Sequence, residues 1–163
     1  NQKEAVITNP SAFGNAWVAS DVVKAENPSD VMNQLGSIDP RKTAVVDLNE
    51  ADPKFGGQGT IALTERTPNK LVYTANISNG TALGIFSEVY YPKSWVATID
   101  GNETEILRAN YILRALEIPE GQHDIVFEFK PQSYATTNTI MMVCSILILL
   151  GFVGTVGVEL KKL

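Results

Sequence analysis

The sequence predicts a mainly β protein: an antiparallel β-sandwich, jelly-roll or Ig-like, with one short helix and a single C-terminal transmembrane helix. Three observations predict it. Short segments that alternate apolar and polar residues recur about every ten residues between Gly, Pro, Asn and Asp turn signals. Only one stretch before residue 130 carries helix start and stop signals. And the run from Thr139 to Val158, TIMMVCSILILLGFVGTVGV, is twenty residues long without a formal charge. The predicted organisation is a soluble domain over 1–137, a membrane helix over 138–158 and a tail over 159–163.

Residues 1–10 carry little pattern and read as a lead-in. Asn15 to Ser20 (NAWVAS) is the first strand. Asn27-Pro-Ser-Asp then opens the helix, with Asn27 as N-cap, Pro28 at the first helical position and Asp30 favoured at the positive end of the dipole. Val31 and Leu35 share one face, and Gly36 terminates the helix. A turn at Asp39-Pro-Arg-Lys leads to a strand from Thr43 to Leu48 and a loop from Asn49 to Gly59. From Thr60 the pattern is β alone. Thr60 to Thr67 turns at Pro68-Asn69 into a strand whose Leu71, Tyr73, Ala75 and Ile77 alternate with more polar residues. Asn79-Gly80 is a strong hairpin signal before Ala82 to Tyr91, which stops at Pro92. Ser94 to Ile99 puts Trp95, Ala97 and Ile99 on one face; Asp100-Gly101 turns it into a strand from Glu103 to Leu107. Tyr111 to Ile118 ends at Pro119-Glu-Gly121, and His123 to Lys130 places Ile125, Phe127 and Phe129 inward. With no crossover helices, these strands are expected to be antiparallel throughout.

The C-terminal run spans roughly 30 Å as a helix, the thickness of a bilayer's hydrocarbon core. Its polar members, Thr139, Ser145 and Thr155, can bond back to their own helix. A buried core helix would instead show a polar stripe. Lys161 and Lys162 follow the span, whereas Pro131 to Asn138 is uncharged, so the tail is expected in the cytoplasm and the domain outside. That predicts a membrane protein with its domain on the outer side. Membrane lipid is the expected partner of the helix. The chain starts at Asn1 with neither methionine nor signal peptide. Earlier membrane helices of the same protein are therefore expected to export the domain.

Composition narrows the function. Removing Lys161, Lys162 and Glu159 from 13 basic and 18 acidic residues leaves 11 against 17. An acidic domain without a basic run is not expected to bind nucleic acid or an anionic membrane surface. The single cysteine, Cys144, lies in the apolar helix, so the soluble part has no thiol, disulfide or cysteine-based metal site. Nothing calls for a cofactor, and no run of carboxylates resembles a metal-binding loop.

Candidate chemistry is sparse. His123 is the only histidine and reads as a residue bonding a turn rather than as a catalytic base. The most distinctive stretch is Glu88-Val-Tyr-Tyr-Pro-Lys-Ser-Trp95. A sugar ring stacks on Tyr or Trp faces while carboxylates and Arg hold its hydroxyls, so Glu88, Tyr91, Trp95 and Arg114 are the candidate glycan contacts. Their alternative role is packing in the core and along a sandwich edge. Glu88, Asp100, Glu103 and Glu105 offer carboxylates, but a glycoside hydrolase needs a pair fixed across a cleft. Gly56-Gly-Gln-Gly59 lacks a following helix and reads as a loop rather than a phosphate cradle. Asn76, Asn79 and Asn102 fit the N-glycosylation pattern, relevant only in a eukaryotic secretory host. Gly151, Gly154 and Gly157 recur every third residue along the membrane helix, where small residues let another helix approach.

From Phe86 to Tyr134 the chain resembles the C-terminal region of the YfhO family of bacterial multi-pass membrane proteins. The runs that carry the resemblance are Ser87-Glu-Val-Tyr-Tyr-Pro92, Trp95-Val-Ala-Thr-Ile-Asp-Gly101, Arg108-Ala-Asn-Tyr111, Arg114-Ala115, and Pro119-Glu-Gly-Gln-His123 through Phe129-Lys-Pro131. A weaker match reaches back to about Trp17. The family often has Gly before the Trp, where this chain has Ser94. The resemblance implies a protein similar to C-type glycosyltransferases, which use lipid-phosphate-linked sugars on the outer face to decorate cell-envelope polymers. Their catalytic acid lies in an early outer loop that these residues do not include, so no catalytic residue carries over. The expected role is thus an accessory domain of a membrane glycosyltransferase. The alternative is a membrane-anchored binding or scaffolding module.

Overall fold

A computed structural model describes residues 9, 11–47, 55–91 and 93–161. Leu48, residues 49–54 of the expected loop, Pro92, Lys162 and residues 1–8 and 10 of the lead-in lie outside them. The chain divides into two compact units between Phe129 and Lys130.

The first unit opens with β1 (Ala16–Ala19) and β2 (Asp21–Ala25), then α1 (Pro28–Leu35) and β3 (Thr43–Asp47). β4 (Gln58–Thr67), β5 (Lys70–Ser78), β6 (Ala82–Val89) and β7 (Trp95–Ile99) follow. The short β8 (Asn102–Thr104) and β9 (Leu107–Ala109) precede β10 (Leu113–Ile118) and β11 (Gly121–Phe129). These form two sheets, β1-β6-β10-β9-β3-β2 and β4-β5-β11-β7-β8. The mainly β, two-sheet architecture read from the sequence is the one observed.

Local signals explain the elements. Asn27 Oδ1 accepts from Asp30 N at 3.0 Å, and the Asp30 carboxylate accepts in turn from Glu26 N. Val31 is buried against Val45 and Ala25, with Leu35 packed on them. Asn79 and Gly80 (φ 65° and 98°) and Asp100 and Gly101 (φ 51° and 82°) adopt the paired left-handed conformations that tight hairpins require.

Two expectations are corrected. The strands are not all antiparallel: β2, unrecognised in the sequence, pairs parallel with β3 in register Val23↔Val45. The helix α1 is therefore a crossover between them. And Glu103 to Leu107 is not one strand. β8 pairs with β7 in one sheet, while β9 pairs with β10 and β3 in the other. The chain changes sheets at Glu105-Ile106, where no Gly, Pro or Asn marks a turn.

β1 and β2 are the opposite edges of the six-stranded sheet, yet only Ser20 separates them. The sheet must therefore curl until its edges meet at Ser20, whose N–H donates to Lys42 O at 2.7 Å. Small side chains allow so tight a curl: Ala19, Ala44, Ala109 and Ala115 pack with Val46, Leu83, Ile85 and Leu107 on its concave side. The convex side, through Phe86, Leu116 and Ile118, meets Tyr73, Ile77, Ile125 and Phe127 of the second sheet. Tyr73, Phe86 and Phe127 join edge-to-face at 4.8 to 6.0 Å between ring centroids. Burial pushes the Tyr73 phenol up to about 12, with the nearby Glu88 charge adding to the shift.

The second unit is α2 (Gln132–Leu160). Thr136–Gly157 is long and apolar enough to cross a membrane. Ser145 Oγ donates to Met141 O and Thr155 Oγ1 to Phe152 O, both at 2.8 Å, so these hydroxyls are satisfied within the helix.

Candidate functional site

Two bulges build the site. Unbroken alternation along β4 would put Arg66 on the face opposite Leu63. Instead the ladder skips from Leu63↔Tyr73 to Glu65↔Val72, with Thr64 as the extra residue, and Arg66 falls opposite the inward Leu71. In the other sheet the register jumps from Leu113↔Val89 to Arg114↔Phe86, leaving Ser87 and Glu88 as extra residues on β6. Ser87 bonds instead to the segment before β1, through its N–H to Asn15 O and its hydroxyl to Gly14 O. The result brings Glu88 Oε1 to 3.6 Å from Arg66 Nη2.

Beneath that pair Arg114 is 97% buried, being 3% exposed. Its guanidinium lies 4.2 Å from the Trp95 ring centroid and 5.5 Å from that of Phe127, a cation on two aromatic rings. Nε donates to Val89 O at 2.9 Å, while Nη1 has no hydrogen-bond partner among the described residues. Burial holds this guanidinium below its ordinary pKa, against the pull of Glu88. Trp95 also packs against Phe129, 5.4 Å between centroids. Arg66, Thr67, Pro68, Leu71, Glu88 and Trp95 line a cleft of about 310 Å³.

Of the four residues singled out in the sequence, the fold thus brings Glu88, Trp95 and Arg114 together. Tyr91 is 51% exposed and does not line the cleft. Arg66 went unrecognised, because its place at the site depends on the bulge at Thr64 and on two sheets facing each other. Ser94 forms the turn into β7 without a left-handed backbone, so the turn places no demand for glycine there.

His123 bonds turns, as its position suggested. Its Nδ1 lies 2.6 Å from Asp100 Oδ2, and Asp124 N donates to Asp100 Oδ1 at 2.8 Å. The Asp100 contact raises the imidazole pKa, and the same contact lowers that of the carboxyl. This clasp ties the β7–β8 turn to the start of β11. Among the described residues no group of three His, Cys, Asp or Glu side chains is placed to hold a metal ion.

Asn110 has a structural task. It is left-handed (φ 48°), as its short amide side chain tolerates, and its N–H donates to Val45 O at 2.8 Å. Its Oδ1 accepts from Val45 N at 2.9 Å, so side chain and backbone together extend the β3–β9 ladder.

No curated protein and no solved structure matches the chain. A family model does: the one described as bacterial membrane protein YfhO matches residues 56–141, just over half of the chain. The matched stretch takes in both bulges, the cleft, the Asp100–His123 clasp and the start of the apolar helix. With β4 to β11 and the head of α2 all inside that match, the chain belongs to the YfhO family of bacterial membrane proteins.

Proposed function

We propose that this chain is the extracytoplasmic accessory part of a multi-pass membrane protein that transfers sugars from a lipid-linked donor to cell-envelope glycopolymers. In this reading α2 anchors the domain in the bacterial inner membrane, with Lys161 and Lys162 on the cytoplasmic side, and other membrane helices of the same protein carry the chemistry. The domain contacts glycan through the Arg66–Glu88–Trp95 cleft and is not itself catalytic. The observation that carries the reading is the cleft: an aromatic face flanked by a carboxylate and a guanidinium, within the stretch that the family model matches. Such a set suits a sugar, whose ring packs on the indole while its hydroxyls bond to the charged groups.

The test is saturation-transfer NMR on the full chain in nanodiscs, screened against envelope-type oligosaccharides. Transfer to a sugar is expected, with severalfold loss in Trp95→Ala and in Glu88→Gln. Undiminished transfer in both variants, or none in the parent, overturns the reading.

A second reading, a scaffolding module that assembles envelope proteins, is favoured by one observation. Arg114 already covers one face of Trp95 at 4.2 Å, which leaves only the other face for a sugar. A parent chain that binds no sugar is the outcome this reading expects.

A further inference from the structure

We propose that the end of the domain from which β11 leads into α2 rests on the lipid headgroup surface, through Val89, Tyr91, Tyr111 and Ile112. This rests on α2 crossing a bilayer and not on the sugar reading.

Large apolar side chains left exposed in the domain are concentrated at this end. Val89 is 62% exposed, Ile112 51%, Tyr91 51% and Tyr111 44%; outside this group only Phe13, Val23 and Met32 are comparable among the described residues of the domain. The four are neighbours. Tyr90 N donates to Ile112 O at 2.7 Å, and Val89 pairs with Leu113. Tyr111 is held left-handed at φ 73°, an uncommon conformation for a bulky residue, directly after left-handed Asn110. Tyr111 and Ile112, at this left-handed turn, both stand exposed rather than in the core.

The same end is where the chain leaves the sheet. Arg114 links Val89, through its carbonyl, to Trp95, and Trp95 pairs with Phe129, the last residue of β11. The candidate span begins at Thr136, and the helix carrying it begins at Gln132. Three extended steps and one helical turn give a tether of about 16 Å from Phe129 to the hydrocarbon. Headgroups fill roughly 5–8 Å of that distance. Tyr134, 70% exposed, stands just before the span, where membrane proteins concentrate tyrosine.

Charge follows the same axis. Among the described residues, the opposite end, where β11 begins, gathers Asp100, Glu103, Glu117, Glu120 and Asp124. The exit end instead has Arg66, Lys70, Lys93 and Lys130 to offset Glu65, Glu88, Glu105 and Glu128. The net negative charge that argued against an anionic membrane surface is thus an average over two unlike ends.

The experiment places single cysteines in a Cys144→Ser full chain, at Tyr91, Ile112, Asn102 and Leu149. Each is labelled with an environment-sensitive fluorophore in phosphatidylcholine–phosphatidylglycerol vesicles, with iodide on both faces. Labels at Tyr91 and Ile112 are expected to be quenched severalfold less than at Asn102, with blue-shifted emission, while Leu149 reports insertion. Equal quenching at Tyr91, Ile112 and Asn102 overturns the proposal, as does an unprotected Leu149. Protection at Tyr91 and Ile112 that grows with protein per vesicle also overturns it, since a second copy would then cover the patch.

Discussion

Arg114 and His123 lie on consecutive strands, yet the two ends of the sandwich hold them in opposite ways. The guanidinium is buried on two aromatic rings with one nitrogen unbonded. The imidazole sits near the surface, bonded to a carboxylate that solvent also reaches. A charge deep in low dielectric is costly unless paired, whereas a surface pair gains little and costs little. Packing is what the first end uses its cation for, and the second end uses a hydrogen-bonded pair to align two turns.

Truncation should break this contrast most sharply. Arg114→Ala removes the side chain that fills the space between Trp95 and Phe127, and is expected to destabilise the fold by about 2–4 kcal/mol in chemical denaturation. Arg114→Met, which keeps the volume and removes the unbonded nitrogen, is expected to stay within about 1 kcal/mol of the parent. A large loss in the Met variant would show that the charge itself holds the end together. Next comes Asn110→Ala, expected to cost about 1–3 kcal/mol, since it leaves the buried Val45 N–H without its acceptor and puts alanine in a left-handed conformation.

The smallest effect belongs to the clasp, and it depends on pH. The His123 pKa is raised above 6.5, so its contribution is whole below that value and fades as pH rises through the folded-state value. The Asp100 pKa is lowered below 3.8, so its contribution is present above that value and fades as pH falls through the folded-state one. The gap in melting temperature between parent and Asp100→Asn should therefore be widest between about pH 4 and 6.5 and close on either side. A gap that stays at full width above pH 8 would assign the clasp to Asp100 and Asp124 N alone.

How legible this was depended on how local each signal is. The α1 caps, the Asn79-Gly80 and Asp100-Gly101 turns and the apolar span are each set by a few adjacent residues, and all were readable. β2 was not, because nothing in Asp-Val-Val-Lys-Ala shows that its partner is parallel and lies beyond a helix. The sheet change at Glu105-Ile106 shifts the inward phase by one, from Ile106 in one cluster to Leu107 and Ala109 in the other, but two adjacent apolar residues do not by themselves mark a change of sheet. At the cleft, Glu88, Trp95 and Arg114 were readable as residue types suited to a sugar. Arg66 was not, since a bulge shifts it across its strand, and bulges have no reliable sequence mark.

The single-residue seam at Ser20 bears on how the molecule is made. β1 and β2 leave the ribosome together, but β1 finds its partner 70 residues later, at Ala16↔Phe86. Contacts that distant in sequence are slow to form. The curled layer cannot close until most of the domain has been synthesised, by which time the apolar helix is the next element of the chain to emerge. Closure of the layer and emergence of the apolar helix therefore fall in the same short interval, and a delay in closure leaves both apolar surfaces uncovered at once.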